Sequence, residues 1–512
     1  MRTRREVSAP AAGAREERAG THLLRKLRLL PKSVPALLPV MEQPPEVAEA
    51  FGMVVRDPVY EWNRHELYPQ ATNYHFLTEM AANLHAAGVR WIRLEFHAEE
   101  GPSFGAIDYR KYDWFINVAA PRFGLKILAL LGTGILKGPG SNVEGLQAKS
   151  GGGPSNAYMK AWTSRALEIA RRYGDKLHGY EILNEPNKNG PLANETAGAQ
   201  DEIAPEAVAL LMAAVFPRLK AVQDVSVVLG GLLTGSNRES GRDAPMYLQA
   251  IYASPAATGF HADESRWPWD AVGVHPYRDT NNTMNNADMV LANLDAVYQV
   301  MQSNVDLGMI WVTEIGMQAG TPPKDDQPSE GEIRQANFLN AVYTGAIQNR
   351  RAFVERLFWF KYEDFHIGHE ETWGVVRLLT RGPNDYEPSG KVARRRAAFE
   401  VLSGLTPPPP PLPNVPPAAP ANLQVEVRTG GRLHITWQAA LPGTRPIMAH
   451  QLFRASTPDM HDAVHVASIV HSLDLDGRAP RGTHYYAMRA LDIAVPPRLS
   501  DYSNVVKVRR LL

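Results

Sequence analysis

Eight short apolar runs recur between residues 49 and 405: FGMVV (51–55), VRWIRLEF (89–96), LKILALLG (125–132), LHGYEILN (177–184), VSVVLGG (225–231), WDAVGVHPY (269–277), MIWVTEIG (309–316) and RLFWFKY (356–362). Their β-branched and aromatic content and their brevity predict strands. The intervening stretches place apolar residues at helical spacing. TEMAANLHAAG ends on Gly88, where a helix C-cap belongs just before the next strand. SNAYMKAWTSRALEIARRYGD opens on Ser155, a suitable N-cap. Eight strands, mostly followed by helices, predict an α/β fold, a (β/α)8 TIM barrel. A doubly wound open sheet is the rival, and the strand count by itself does not separate the two.

The pattern changes at TPPPPPLPNVPPAAP, which begins at residue 406. Proline at this density favours polyproline II, a stiff spacer reaching on the order of 45 Å at about 3.1 Å per residue. Beyond it the alternation is two-residue. LHITW puts Leu433, Ile435 and Trp437 on one face and His434 and Thr436 on the other, after a TGGR hairpin turn. HQLFRAS, THYYAMRALD and SNVVKV continue the series. The expected organisation is therefore a flexible basic tail (1–48), the barrel (49–405), a proline-rich linker (406–418) and a small all-β, immunoglobulin-like sandwich (419–512).

Composition narrows the partners. Lys plus Arg equal Asp plus Glu at 54 each, so no global field favours nucleic acid or an anionic membrane, and a neutral partner fits best. No cysteine is present, which removes disulfides, cysteine zinc sites and a thiol nucleophile together. No apolar run reaches the roughly 18 residues that a membrane span requires. The tail carries nine Lys/Arg against three acids before residue 33, and VPALLPVM behind it is short and broken by proline. That reads as a tail in preference to a signal peptide; a secreted or cell-envelope location stays open.

The chemistry concentrates at strand ends, where a barrel keeps its working residues. GYEILNEPN finishes its strand in Asn184, Glu185 and Pro186, and the proline stops the ladder so that the carboxylate stands at the rim. MIWVTEIG brings Glu314 to the end of the seventh strand, across the barrel mouth from the fourth. Two such carboxyls suit glycosidic cleavage, one protonating the leaving oxygen while the other attacks the anomeric carbon. Mutual repulsion is expected to raise the pKa of one of them. The plain alternative for either glutamate is a rim salt bridge.

These residues resemble the clan A glycoside hydrolases, the retaining (β/α)8 enzymes that include family 5 cellulases and family 39 enzymes, over roughly 49–405. The resemblance implies Glu185 as acid/base, Glu314 as nucleophile and Asn184 as a contact for the sugar 2-hydroxyl. WDAVGVHPY then puts His275 and Tyr277 beside the nucleophile, Arg93 in WIRLEF steadies it, and Trp359 in LFWFKY forms the sugar platform. Ordinary barrel packing is the alternative for Trp359, and a structural histidine the alternative for His275. The small domain resembles a fibronectin type III module, expected as a spacer or as a contact for glycan or protein. The function implied is a retaining β-glycoside hydrolase, cellulase-like, on β-linked poly- or oligosaccharides. A transglycosylase on the same residues and a non-catalytic carbohydrate-binding protein are the alternatives.

Other features are set aside or left open. Glu181 shares the inward parity of Glu185 but lies roughly 13 Å deeper at about 3.3 Å per residue, as an interior carboxylate paired with an arginine. Glu95 and His97 are further rim candidates. GTGILKG (132–138) has the wrong glycine spacing for a dinucleotide and opens a long glycine-rich loop instead. His366 and His369 in HIGH make a weak metal pair, and neither cofactor nor metal is expected in the chemistry.

Overall fold

A computed structural model describes residues 49–510 apart from 102–103, 138–145, 147–155, 189–201, 235–242, 278–285, 321–326, 368, 383–384 and 407–408. The basic tail, most of the glycine-rich loop after the third strand, Ser155, the start of TPPKDDQPSEGE and the side chains of His366 and His369 lie outside the described residues.

The eight apolar runs form one closed parallel barrel: β1 (Phe51–Val54), β2 (Trp91–Glu95), β3 (Lys126–Leu131), β4 (Gly179–Asn184), β5 (Ser226–Leu233), β6 (Ala271–His275), β7 (Met309–Ile315) and β8 (Val354–Trp359). β1 pairs with both β2 and β8, which closes the ring and excludes the open sheet. Helices wrap it, among them Tyr74–Ala86, Ala157–Tyr173, Pro205–Val222, Ala287–Ser303 and Glu330–Tyr343. Their apolar faces and the outward strand residues share one continuous core. Gly88 adopts φ +74° immediately past the first of these helices, a conformation that a side chain disfavours. The helix at Ala157–Tyr173 is capped by Asn156, whose Oδ1 accepts from Met159 N at 2.7 Å.

The small domain is a seven-stranded pair of sheets. One holds Ala421–Arg428, Arg432–Gln438 and Asp474–Arg478; the other holds Val464–Ile469, Ile447–Ala455, Gly482–Asp492 and Val506–Arg510. Leu433, Ile435 and Trp437 are buried on the inner face with Leu452, Met488 and Val508, as their alternation predicts. Three of these strands, 421–428, 464–469 and 474–478, escape the sequence reading because most of their side chains face solvent.

The proline-rich segment does not hold the two parts at a distance. Pro410 O accepts from His85 of the barrel at 2.7 Å, and Val415 O and Ala418 N bond Thr444 and Leu441 of the small domain. The small domain also touches the barrel directly: Leu67 and Tyr68 pack with Ala439, Tyr68 donates to Ala440 O at 3.3 Å, and Ile447 N donates to His75 Nε2 at 3.3 Å. Apolar surface on both partners outweighs the intrinsic stiffness of the spacer.

Candidate active site

Side chains fill the barrel in layers. The deepest layer is apolar: Trp91, Leu128, Trp311 and Phe358, with the Arg356 guanidinium 4.0 Å and 4.7 Å from the Trp91 and Trp311 ring centres. Above it lies an ionic layer, where Arg93 Nε donates to the fully buried Glu181 Oε2 at 2.6 Å. Glu181 is thus the paired interior carboxylate that its depth on β4 predicts.

At the rim, β4 delivers the neighbours Asn184 and Glu185 to the same cavity, which simple alternation forbids. Leu183 and Glu185 resolve this by adopting left-handed backbone, φ +68° and +44°. Non-glycine residues in that region cost on the order of 1–3 kcal/mol and cluster at functional sites. β7 departs from regularity as well. Trp311 and Thr313 point inward, so Glu314 belongs outside, but the pairing with β8 slips by one residue between Val312 and Ile315. That irregularity turns Glu314 into the mouth.

Arg93 organises what meets there. Besides Glu181, its Nη1 donates to Glu314 Oε2 at 3.1 Å and its Nη2 to Asn184 Oδ1 at 2.6 Å. Tyr277 OH donates to Glu314 Oε1 at 3.3 Å. Burial, with Glu314 alongside, keeps that phenol protonated. His275 is fully buried, its Nδ1 3.0 Å from Glu185 Oε1 and its Nε2 3.1 Å from Thr313 Oγ1. His275 thus bridges Glu185 on β4 and Thr313 on β7. Oxygens of Glu185 and Glu314 lie within 4.8 Å of each other and of a His275 ring nitrogen.

The ionisation pattern differs from the expectation. Burial pushes the Glu185 carboxyl up, but the His275 contact and the Lys188 ammonium, 2.7 Å from Oε2, outweigh it and hold the group at about 2. The His275 hydrogen bond first, and then the Lys188 ammonium three residues away, therefore govern Glu185 more than its fellow carboxylate does.

Six of the seven sequence-predicted site residues converge: Arg93, Asn184, Glu185, His275, Tyr277 and Glu314. Trp359 does not. Its side chain is fully buried on the outside of β8, with its ring 6.0 Å from that of Phe338 in the surrounding helix Glu330–Tyr343. Alternation makes Phe358 and Phe360 the inward residues of this strand, and Phe360 is the one that borders the cavity. Trp373 packs edge-on against both Phe360 and Tyr277, at 5.4 Å and 6.1 Å.

The cavity holds about 530 Å³ and extends from the two glutamates towards Asp57, Tyr60 and Glu95. Glu95 lines it, and His97 Nε2 sits 3.3 Å from Asp57 Oδ2 behind it. Gly132 of the GTG turn leaves room for Glu95: a Cβ there would lie 2.9 Å from Glu95 Oε1. Asp57, Glu95 and His97 present ligand-type atoms within 4.8 Å, as do Glu185, His275 and Glu314. In the second group Lys188 and Arg93 already bring positive charge to both carboxylates, which weakens its attraction for a cation. Lys188 and Thr313 escape the sequence reading. The Glu-Pro-Asn-Lys spacing, one turn from Glu185, was the available signal for Lys188.

Residues 181–376 match the family model of the glycosyl hydrolase catalytic core. The matched stretch runs from β4 through β8 and contains both rim glutamates. This supports a glycosidase. No curated protein sequence matches the chain significantly. Among solved structures, the chain is similar to a family 39 glycoside hydrolase from Bacteroides cellulosilyticus WH2, at 14% identity over 87% of this chain and 83% of that one, TM-score 0.46. It is similar to the AHE enzyme from Alicyclobacillus herbarius at 14% identity over 72% and 99%, TM-score 0.49. A family 1 β-glucosidase from Thermotoga maritima matches at 15% over 71% and 98%, TM-score 0.48. Such distant likenesses carry nothing about substrate.

Proposed function

We propose that the protein is a retaining β-glycosidase acting on β-linked oligo- or polysaccharides. The observation that carries this is the approach of the Glu185 and Glu314 oxygens to within 4.8 Å. Retaining enzymes hold their carboxyls about 5–5.5 Å apart, whereas inversion needs roughly 6.5–9.5 Å to admit a water between carboxylate and sugar.

In this reading Glu314 attacks the anomeric carbon. Arg93 and Tyr277 hold its two oxygens in position until the bond forms. Glu185 protonates the departing oxygen, then, deprotonated, takes a proton from the water that opens the glycosyl-enzyme ester, so configuration is retained overall. Asn184 gives its carbonyl oxygen to Arg93, which leaves its amide nitrogen free to donate to a sugar hydroxyl. Phe360, rather than Trp359, supplies the aromatic wall. The division into tail, barrel, linker (406–418) and fibronectin type III-like module (419–512) belongs to the same proposal.

The test is release of new reducing ends from a panel of β-linked glycans by wild type and by Glu314→Gln. Release that collapses in the variant supports the reading, and equal release from both proteins overturns Glu314 as nucleophile.

A further inference from the structure

A carboxyl that donates a proton needs an oxygen facing the departing group. Glu185 has none to spare: His275 takes Oε1 and the Lys188 ammonium takes Oε2. The other charged and titratable groups around it are committed elsewhere. Glu314 is held by Arg93 and Tyr277, and Arg93 also binds Glu181 and Asn184.

Of the cations that line the cavity, Arg93 is spent on Glu181 and Glu314, and Lys188 differs from the remaining three. Arg56 is neutralised by Glu61 at 2.7 Å, Arg64 by Asp385 at 2.6 Å and Lys361 by Glu363 at 2.8 Å, all acids other than the two rim glutamates. Among the described residues the ion partner of Lys188 is Glu185 itself. Its side chain is 31% exposed, so the ammonium can swing while its backbone stays in the turn that Lys188 N makes to Glu185 O.

Resting on the assignment of Glu185 as acid/base, we propose that Lys188 selects substrates bearing an anionic group, such as a carboxylate, on the leaving-group side of the scissile bond. The side follows from geometry, because the proton donor faces the glycosidic oxygen and Lys188 sits against that donor. The anion takes over the ammonium, which keeps its three protons. Freed Oε2 then accepts a proton from solvent and passes it to the glycosidic oxygen as the carbon–oxygen bond breaks. A neutral leaving group offers hydroxyls but no counter-charge, so Lys188 remains on Glu185 and the proton donor stays ionised.

The experiment compares 3-carboxyphenyl β-glycosides of glucose, xylose, galactose and mannose with their methyl esters, across pH, in wild type, Lys188→Met, Lys188→Arg and Glu185→Gln. Wild type should prefer the carboxylate roughly tenfold or more in kcat/KM, the scale of a charge-assisted contact. Lys188→Met should erase that preference, while raising turnover of the esters and moving the alkaline limb of their pH profile upward. Lys188→Arg should keep both the preference and the limb. A lysine that merely binds substrate or supports the fold would not move the limb of a neutral substrate. Equal use of acid and ester by wild type, or an unmoved limb in Lys188→Met, overturns the proposal while Glu185→Gln still abolishes turnover. Undiminished turnover by Glu185→Gln overturns the acid/base assignment itself, and the proposal with it.

Discussion

Arg93 carries two duties that one double replacement separates. It compensates Glu181, a carboxylate with no exposure to solvent, and it positions Glu314 and Asn184. Arg93→Met removes the cation and leaves Glu181 buried and unpaired, which costs about 3–5 kcal/mol. At about 1.3 °C per kcal/mol for a barrel of roughly 350 residues, Tm should fall by roughly 4–7 °C. Adding Glu181→Met replaces the whole pair by apolar side chains of similar length, a change that is often neutral, so most of the Tm should return. Activity should not return. Glu314 keeps the Tyr277 donor alone, and loss of one such donor costs on the order of 10²–10³ in kcat. Thermal unfolding by circular dichroism gives the first quantity and reducing-end release the second. The reasoning fails if Arg93→Met is as stable as wild type, or if the double variant regains activity together with stability.

Three further outcomes follow from the geometry. A Cβ on Gly231 would lie 2.0 Å from His275 Nε2, so Gly231→Ala must push the ring off Glu185 and Thr313; kcat should drop about 10²-fold, and a crystal structure with an unmoved His275 would refute this. Phe360→Ala should raise KM with little change in Tm, whereas Trp359→Ala should lower stability by about 3–5 kcal/mol through the cavity it leaves, and the reverse pattern would return the platform to Trp359. Burial holds the His75 and His450 imidazoles down at about 3 and about 4, and each accepts a backbone N–H at Nε2. The unfolded chain takes up protons below about 6.5 while the folded histidines do not, so stability is full above that pH and falls at about 1.4 kcal/mol per unit per histidine on acidification. Thermal unfolding between pH 7.5 and 5 should show this slope, and His75→Gln with His450→Gln should flatten it; an unchanged slope would refute the assignment.

Much of the molecule is legible without coordinates because its signals are local. Strand-length apolar runs, helix caps such as the one at Gly88, and the alternation in LHITW depend on near neighbours in the chain. The meeting of Glu185 and Glu314 at the barrel mouth is legible too, since each ends a strand and strand ends of a barrel converge. Tertiary structure decided what local pattern cannot encode. Whether Trp359 or Phe360 faces the cavity is a one-residue question of parity, and a single step along a strand reverses which side a residue faces. The inward turn of Glu314 depends on a slip against β8, and the joint reach of Asn184 and Glu185 on two left-handed residues, Leu183 and Glu185. The proline segment reads as a spacer by composition, yet Tyr68, His75 and Ala439 draw the two domains together across several hundred residues of sequence. Above all, the charge state of Glu185 follows from His275 on β6 and from a lysine whose side chain folds back onto it. Pairwise electrostatics at about 3 Å depend on which groups meet in space, and the order of residues along the chain leaves that open.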